Sequence, residues 1–457
     1  MSKKNQVQNK AKILNQKKII KNNEIIHKAE EVSFSISKTQ SPKNTGYLNT
    51  IKTIWKEAKF ENVSHLYSEN QEYSGRILYI NQKPLLNFGS CGYFGLEFDP
   101  RLRKAAKQAI DNFGTQFAFP PVYMALNLYE ELKDKYKKIF GANLAIGSTT
   151  TLAHLSCIPV MVRDNDAILI DQHVHHSVQM ATKLISAKDI KMKFIPHNNL
   201  NYLESKIQQL RNNHRRIWYF ADGVYSMKGD CAPVKELQDL QLKYPELYLY
   251  IDDAHGMSWK GEHGRGFVLD QTRFLDRTII AISHAKCFGS AGGTLIIDDP
   301  ELEYQVRNFG STMIFSGPMQ PALLGAALAS ADIHLSEEIY YFQEILAEKI
   351  ALRNKLIKER QLPIAGPFET PISFIGIGDA KTTGEVVQEL FNEGYYVNIS
   401  LYPAVPKNRN GIRFTTTCLQ KDQDIINFID TLEQILRRVF SKNNSSIEEI
   451  CQKFNPK

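Results

Sequence analysis

The chain has 457 residues, 43% of them hydrophobic, and a formal net charge of +7. This length and apolar content can bury one large core with a smaller domain beside it. Much of the positive excess lies in residues 1–23, which contain no acidic residue, and no compact basic patch interleaved with aromatics follows. Composition and charge therefore argue against a nucleic-acid-binding protein.

The cysteine pattern and the N-terminus give expectations about location. The six cysteines form no Cys-x-x-Cys pair, which argues against a metal or disulfide framework and favours the reducing cytoplasm. The N-terminal residues contain no apolar run typical of a secretory signal and no arginine before Arg76, so we expect neither a secretory nor a mitochondrial leader. No apolar run reaches the length that spans a membrane.

In chain order, residues 1–45 come first and are polar and rich in lysine and asparagine. We interpret them as an N-terminal appendage, because such a composition buries little apolar surface. The other predicted parts are a segment packing with the small domain at 46–100, a large cofactor-binding domain at 101–320, a small C-terminal domain at 321–440 and a polar tail at 441–457.

The large domain alternates between two patterns. Apolar residues recur at helical spacing in RLRKAAKQAIDNF, LYEELKDKYKKIF, NYLESKIQQLRNN and VKELQDLQLKY. Short apolar runs rich in β-branched and aromatic residues predict the strands DAILID, MKFIPH, RRIWYFADG, LYLYIDD and RTIIAISH. Strands that alternate with helices predict an α/β fold with a mostly parallel sheet covered on both faces.

Beyond Gln320 the pattern changes to long helical stretches. The strand-like runs in this part are PISFIGIG, YYVNIS and GIRFTTT, and a last helical stretch, DQDIINFIDTLEQILRRVF, follows them. We therefore predict a small C-terminal α+β domain.

Unusual polar residues follow the predicted strands at the point where each strand ends. They are His175, Ser177, Asp222, Asp252, His255 and Lys286. Ligands of open parallel sheets bind beyond the carboxyl ends of the strands, so we expect these side chains to share one site.

Lys286 and Asp252 together indicate a particular cofactor. A lone lysine at a strand end is usually a surface residue, but Lys286 is followed by CFGSAGG, whose glycines allow close backbone approach. A partly desolvated lysine is a competent amine nucleophile. Asp252 alone could be a helix cap or turn residue, yet it precedes Lys286 by 34 positions (286 minus 252) on a neighbouring predicted strand end. An acidic side chain beside a ring nitrogen is what pyridoxal phosphate needs to act as an electron sink.

From about Leu85 to Phe440 the chain resembles the α-oxoamine synthases, which are fold-type I pyridoxal-phosphate enzymes. The resemblance rests on five stretches in the family's order: DQHVHHSV, DGVYSMKGDCAPVKEL, YIDDAHGMSWKGEHGRG, SHAKCFGSAGG and YPAVPKNRNGIRFTTT. It implies an acyltransferase that condenses an amino acid with an acyl thioester, carried on coenzyme A or an acyl carrier protein, with loss of carbon dioxide. It also implies a homodimer.

The resemblance implies a role for each matching residue. Lys286 would bind the cofactor covalently and later move the Cα proton, Asp252 would pair with the ring nitrogen, and His175 would stack on the ring. His255 would hydrogen-bond the cofactor's 3-oxygen, and Arg413 would bind the amino-acid carboxylate. The further cofactor contacts would be Thr149, Thr150, Ser226, Ser283 and Ser316, and the further substrate contact would be Tyr93.

The chain also departs from the family's pattern. The family's Asn-Asp-Tyr is Cys91-Gly92-Tyr93, its histidine after the glycine-rich segment is replaced by Tyr129, its first arginine in the last motif is Gly411, and its Ser-Thr is Ser316-Gly317. The glycine-rich segment itself reads GTQFAFPPVYMA, at residues 114–125. Its apolar side chains either pack under a loop or form a channel for a medium or long acyl chain.

Two other functions stay open on the sequence. The first is another reaction of the same cofactor, such as transamination, β-elimination or the reaction of the related autoinducer synthases, which also depart at the glycine-rich segment. The second is a non-catalytic partner subunit, but such chains typically lack the lysine, and this one keeps Lys286, Asp252 and His255.

Overall fold

The structure is a computed structural model and describes residues 45–185, 190–366 and 369–454. The predicted N-terminal appendage lies outside the described residues, except for residue 45. The described residues from 53 onward form one compact unit, which contains the candidate site, and residues 45–52 belong to a separate unit. Within the described residues, no helix is both long and apolar enough to cross a bilayer.

The N-terminal elements lead into the large sheet. They are α1 (Thr45–Glu57), β1 (Ile77–Ile80), β2 (Lys83–Asn87), α2 (Pro100–Phe113) and α3 (Leu128–Phe140). Helix α2 begins where the sequence signals a helix start, because the Asp99 side chain accepts a hydrogen bond from the Arg101 N–H and Pro100 occupies the first turn.

Strands and helices then alternate, as predicted. The elements are β3 (Asn143–Gly147), α4 (Thr150–Met161), β4 (Ala167–Asp171), α5 (His176–Lys183), β5 (Lys191–Ile195), α6 (Leu200–Leu210), β6 (Ile217–Asp222), α7 (Val234–Lys243), β7 (Leu247–Asp252), α8 (Phe267–Gln271), β8 (Thr278–Ser283) and β9 (Gly293–Ile297). All five strands predicted in this domain are present.

Seven strands form the central sheet in the order β3-β9-β8-β7-β6-β4-β5. The pairs from β8 to β5 are parallel, and β9 runs antiparallel to both of its neighbours. Every residue of β4, β6, β8 and β9 is buried, because apolar cores cover both faces of the sheet. The predicted α/β fold with a mostly parallel sheet is confirmed.

The C-terminal part contains helices and short antiparallel strands. Its elements are α9 (Pro300–Phe309), α10 (Ser311–Phe315), α11 (Pro321–His334), α12 (Glu338–Glu359), β10 (Ile372–Gly378), α13 (Ala380–Asn392), β11 (Tyr395–Tyr396), β12 (Asn398–Ser400), β13 (Asn410–Thr415), α14 (Asp422–Lys442) and α15 (Ile447–Phe454). The predicted strand YYVNIS is divided between β11 and β12.

The C-terminal strands form two small sheets, one of which also contains β1 and β2. The strand orders are β1-β2-β11 and β10-β13-β12. The N-terminal strands therefore share a sheet with a C-terminal strand, and Phe88 stacks on Phe428 of α14 with ring centroids 4.1 Å apart. At the C-terminal end, the Phe454 ring lies against the backbone of Gly376 in β10. The exact domain boundaries stay a prediction.

Candidate active site

A cavity of about 290 Å³ lies at the carboxyl ends of the parallel strands. Its lining brings together residues from five segments that are far apart in sequence. The predicted residues in this lining are Thr149, Thr150, His175, Ser177, Asp222, Asp252, His255, Ser283 and Lys286, and it also includes His154. The six polar residues expected at the strand ends therefore line the same cavity.

Lys286 follows β8 and lines the cavity with its side chain. Burial lowers the pKa of this amine, and the nearby Arg413 charge acts in the same direction, while the Asp252 carboxylate partly offsets both. A lysine with a lowered pKa carries a larger fraction of neutral amine, which is the nucleophilic form.

Asp252 ends β7 and is ionised in this environment. Its Oδ1 accepts a hydrogen bond from the Ala254 N–H at 3.0 Å, and its Oδ2 lies 2.9 Å from His154 Nε2. Burial by itself disfavours the charge, but His154 and Lys286 outweigh it, so the pKa of Asp252 is well below its usual range. The adjacent Asp222 behaves in the opposite way, because burial and the Asp252 charge raise its pKa.

Asp253 lies outside the cavity lining. It is fully buried, and its Oδ2 accepts a hydrogen bond from the Val268 N–H at 2.9 Å. A Cβ at Gly256 would approach the Asp253 Oδ1 to 2.0 Å, so this glycine leaves the space that the carboxyl group occupies. Successive strand residues point to opposite faces, and the two aspartates accordingly lie in different surroundings.

His255 offers a hydrogen-bond donor to the cavity. The hydroxyl of the fully buried Tyr93 lies 2.7 Å from His255 Nδ1. Burial and the Lys286 charge hold the pKa of His255 well below its usual value, and burial raises the pKa of Tyr93. We therefore assign a neutral imidazole that accepts from Tyr93 at Nδ1 and carries its hydrogen on Nε2.

His175 occupies the N-cap position of α5, where its Nδ1 accepts a hydrogen bond from the Ser177 N–H. The backbone N–H of His175 donates to Asp222 Oδ1 at 3.0 Å. Burial lowers the pKa of His175, which agrees with a neutral ring whose Nδ1 is an acceptor. The turn that carries His175 is thus fixed to the end of β6.

The N-terminus of α4 borders the same cavity. Thr149 caps this helix by accepting from the Leu152 N–H, while the first N–H groups of any helix lack intrahelical acceptors. Close approach of β9 to this turn requires glycine, since a Cβ at Gly293 would lie 2.4 Å from the Thr150 nitrogen. Ser283, at the end of β8, is buried beside it. This arrangement suits a phosphate group.

Arg413 lies on β13 and is only 7% exposed. Its Nε donates to the Ser226 carbonyl at 2.6 Å, and its Nη2 lies 3.6 Å from Cys91 Sγ. Among the described residues it has no carboxylate partner. Ser226 therefore contacts Arg413 through its backbone carbonyl, and the guanidinium keeps donors for an anionic ligand.

Ser316 is not brought to this cavity. It lines a separate cavity of about 220 Å³ together with Val122, Tyr129, Ser148 and Met313. Two of the chain segments that line it, residues 119–125 and 307–318, also carry exposed apolar side chains, which are Phe119, Val122, Tyr123, Met124, Phe309 and Phe315. Phe117 instead packs against the large-domain core.

The chain is similar to known enzymes over most of its length. A sequence profile of aminotransferase class I and II matches residues 83–432. The 8-amino-7-oxononanoate synthase of Petrotoga mobilis is 33% identical over 371 residues, which cover 79% of this chain and 91% of that enzyme. The chain belongs to the α-oxoamine synthase family.

Other members extend this likeness. The serine palmitoyltransferase of Sphingobacterium spiritivorum is 28% identical over 388 residues, covering 84% of this chain and 95% of that enzyme. In three dimensions, the Sphingomonas wittichii serine palmitoyltransferase has a TM-score of 0.80 at 22% identity, covering 87% of this chain and 99% of that chain, which shows the shared fold. The resemblance predicted from the five stretches is confirmed.

The α-oxoamine synthases depend on pyridoxal phosphate, and the cavity residues fit this group. Asp252 presents an ionised carboxylate, His255 presents an Nε2–H, and the helix start at Thr150 presents backbone donors for a phosphate. Lys286 supplies an amine with a lowered pKa. These donors and charges match the ring nitrogen, 3-oxygen, phosphate and aldehyde of the cofactor in chemical type.

Two departures from the family pattern have a steric reason. A Cβ at Gly411 would lie 2.2 Å from the Ile375 carbonyl oxygen, so the position cannot hold an arginine without moving β10. A Cβ at Gly92 would lie 1.9 Å from Glu97 Oε1, so Glu97 fills the space that the family's aspartate would need. Burial raises the pKa of Glu97.

Sequence reasoning missed two features near the site. His154, on α4, contacts Asp252, and its only sequence signal is its position one turn after Thr150. The second is a buried group in which His197 Nδ1 lies 2.9 Å from Asp171 Oδ1 and His197 Nε2 contacts Asp230. Burial opposes the charge of His197, but these carboxylates raise its pKa to about 9.

Proposed function

We propose that this protein is a pyridoxal-phosphate-dependent acyltransferase that condenses an amino acid with an acyl thioester and releases carbon dioxide. The proposal is supported by family membership and by the cavity, where Lys286, Asp252 and His255 meet. The acyl donor would be carried on coenzyme A or on an acyl carrier protein.

The amino-acid substrate is supported by Arg413, which is buried and has no carboxylate partner among the described residues. An unpaired buried guanidinium is costly unless a ligand supplies the opposite charge. An amino-acid carboxylate meets this need as a bidentate partner. Because Arg413 is close enough to lower the pKa of Lys286, the bound amino acid would lie beside the lysine.

Each residue then has a defined task. Bound pyridoxal phosphate would supply an electron sink for negative charge that develops at the amino acid's Cα. The Lys286 Nζ would hold and move the Cα proton, and Arg413 would orient the carboxylate. Asp252 would keep its charge against the ring nitrogen, while His255 would donate from Nε2. His175 would limit the ring to one position by lying against its face.

We propose that the acyl chain lies along the exposed apolar segment. Tyr123 is 81% exposed and Met124 is 53% exposed, and neither packs under a loop. Burying each methylene of a long acyl chain contributes about 0.8 kcal/mol. Longer donors should therefore be preferred over acetyl and succinyl donors.

We also propose a homodimer in the cytoplasm. The dimer is supported by the exposed apolar side chains around Ser316, of which Phe315 is 83% exposed, since monomers rarely expose such clusters. In a dimer, Ser316 would face the partner's phosphate site. The cytoplasmic location is supported by the cysteine pattern, which favours a reducing compartment.

The test is a panel of substrates with the purified, cofactor-loaded protein. Thioester release is measured for glycine, alanine and serine against acetyl, octanoyl and palmitoyl donors. We expect turnover that depends on both substrates and rises with acyl length. A preference for the acetyl donor would remove the apolar-channel proposal, and conversion of the cofactor to its amine form without thioester release would replace the acyltransferase with an aminotransferase.

A further inference from the structure

His154 is a fully buried histidine whose two ring nitrogens both have partners. Its Nε2 lies 2.9 Å from Asp252 Oδ2, and its Nδ1 lies 2.7 Å from the Tyr250 hydroxyl. The proposed function so far gives His154 no role, although it borders the same cavity.

The fold brings this trio together from two elements. Tyr250 and Asp252 are two residues apart on β7, so their side chains point to the same face of the sheet. His154 stands on α4 one turn after Thr150, and α4 packs on that face. The helix start that borders the proposed phosphate site and the strand end that bears Asp252 are therefore linked by one imidazole.

The hydrogens of this trio can be assigned. Tyr250 is fully buried and burial raises its pKa, so it keeps its proton. Among the described residues, the only hydrogen-bond partner of its hydroxyl is His154 Nδ1. The hydroxyl must donate to Nδ1, because otherwise a buried O–H would have no acceptor. The imidazole hydrogen then lies on Nε2 and points at Asp252.

This donor bears on the charge of Asp252. The carboxylate also accepts from the Ala254 N–H, and the charged or titratable groups around it include Lys286, His175, Asp222 and Asp253. The two neighbouring aspartates disfavour a second negative charge, whereas Lys286 favours the Asp252 carboxylate. With both donors present, each oxygen of Asp252 has a hydrogen-bond partner, and the remaining lone pairs are available to the cavity.

We propose that His154 is a positioning residue which, held in one tautomer by Tyr250, keeps Asp252 ionised and oriented toward the cofactor's ring nitrogen. This inference rests on the proposed function and adds a proton-holding chain, Tyr250 to His154 to Asp252, in which His154 and Asp252 line the cavity. Loss of the Nε2–H would raise the proton affinity of the Asp252 carboxylate and so weaken its hold on a protonated ring nitrogen.

The test uses the full chain loaded with pyridoxal phosphate that carries 15N in the ring, since the nitrogen's chemical shift reports its protonation. His154→Leu should move the signal toward the unprotonated value and weaken cofactor binding to the apoprotein by about 10- to 100-fold, as expected for a hydrogen bond to a charged group. His154→Gln, whose amide can replace the Nε2–H, should stay near the unmodified protein. Tyr250→Phe should give an intermediate shift.

A His154→Leu protein with an unchanged ring signal and unchanged cofactor affinity would overturn the inference. If His154→Leu does not fold, as judged by its melting temperature, an unchanged ring signal in Tyr250→Phe overturns it instead. Asp252→Asn tests the role of Asp252 independently of the role of His154. If that variant also keeps a protonated ring, Asp252 is not the ring's partner, and the site assignment of the proposed function fails rather than the role of His154 alone.

Discussion

The strand-end cavity and the apolar surface around Ser316 are built in opposite ways. In the cavity, the polar side chains are buried and hold one another, as Tyr93 holds His255 and His154 holds Asp252. On the apolar surface, Phe315 and Tyr123 are 83% and 81% exposed.

This difference suggests that cofactor binding depends on the cavity, whereas acyl-chain binding and dimer assembly depend on the apolar surface. The cavity side chains that would bind and tune the cofactor hold one another within one chain. The side chains that would bind the acyl chain or a second subunit, such as Phe315 and Tyr123, are instead mostly exposed. Changes in the cavity should therefore affect cofactor chemistry, whereas changes on the apolar surface should affect acyl selectivity and assembly.

The largest expected effect separates the two neighbouring aspartates. Asp252→Asn removes the charge beside the cofactor ring and should lower kcat/KM by about 100- to 1,000-fold, the size of effect seen when one preorganised electrostatic group is removed. Asp253→Asn should keep more activity but lower the melting temperature, because Asp253 is buried against Val268 outside the cavity. Equal losses of activity in the two variants would contradict the assignment.

A smaller effect is expected at Arg413. Arg413→Lys loses the bidentate fork and should raise KM for the amino acid by about 10- to 100-fold, the range expected for hydrogen bonds to a charged group. Cofactor absorbance should not change. Arg437→Lys is the control, because Arg437 pairs with Glu433 on an exposed helix face. An unchanged KM in Arg413→Lys would exclude Arg413 from carboxylate binding.

On the apolar surface, Phe315→Glu tests the proposed dimer. We expect light scattering to give a mass near twice 52.2 kDa for the unmodified protein and near 52.2 kDa for the variant. Tyr67→Glu is a matched control, since Tyr67 is 86% exposed but lies in the N-terminal segment. A mass of 52.2 kDa for the active, unmodified protein would remove the dimer from the account.

The smallest expected effect is a pH dependence of stability from His197. The folded protein raises its pKa to about 9, above the ordinary value of about 6.5. Its ion pairs with Asp171 and Asp230 therefore contribute fully below about pH 6.5 and are lost as pH rises through about 9. The free energy of unfolding, from urea titrations of the apoprotein, should fall over this window, and His197→Gln should flatten the fall. An equally steep fall in the variant would assign it to other groups.

The sequence predicted the fold and the convergence of the cavity residues because both follow from simple patterns. The runs at β4, β6, β7 and β8 are apolar since both sheet faces are covered, and the polar residues just after them must lie at one sheet edge. His154 could not be found in this way. A single histidine inside an apolar helix has many core explanations, and its contact with Asp252 depends on how α4 packs on β7.

The sequence also could not explain why some residues differ from the family pattern. Gly411 and Gly92 could be recognised as differences from the family, but their cause is the close approach of the Ile375 backbone and the Glu97 side chain. The exposure of Tyr123 and Met124 likewise depends on the tertiary course of residues 114–125. Such contacts join segments that no local pattern relates.

The central claim is that Lys286 holds pyridoxal phosphate in this cavity. The most direct test is borohydride reduction of the yellow, cofactor-loaded protein, followed by peptide mapping by mass spectrometry, with Lys286→Ala as the control. The account predicts that the reduced cofactor is attached to the peptide containing Lys286 and that the control has no such attachment. A label on another lysine, or bound cofactor that borohydride does not fix to the chain, would contradict it.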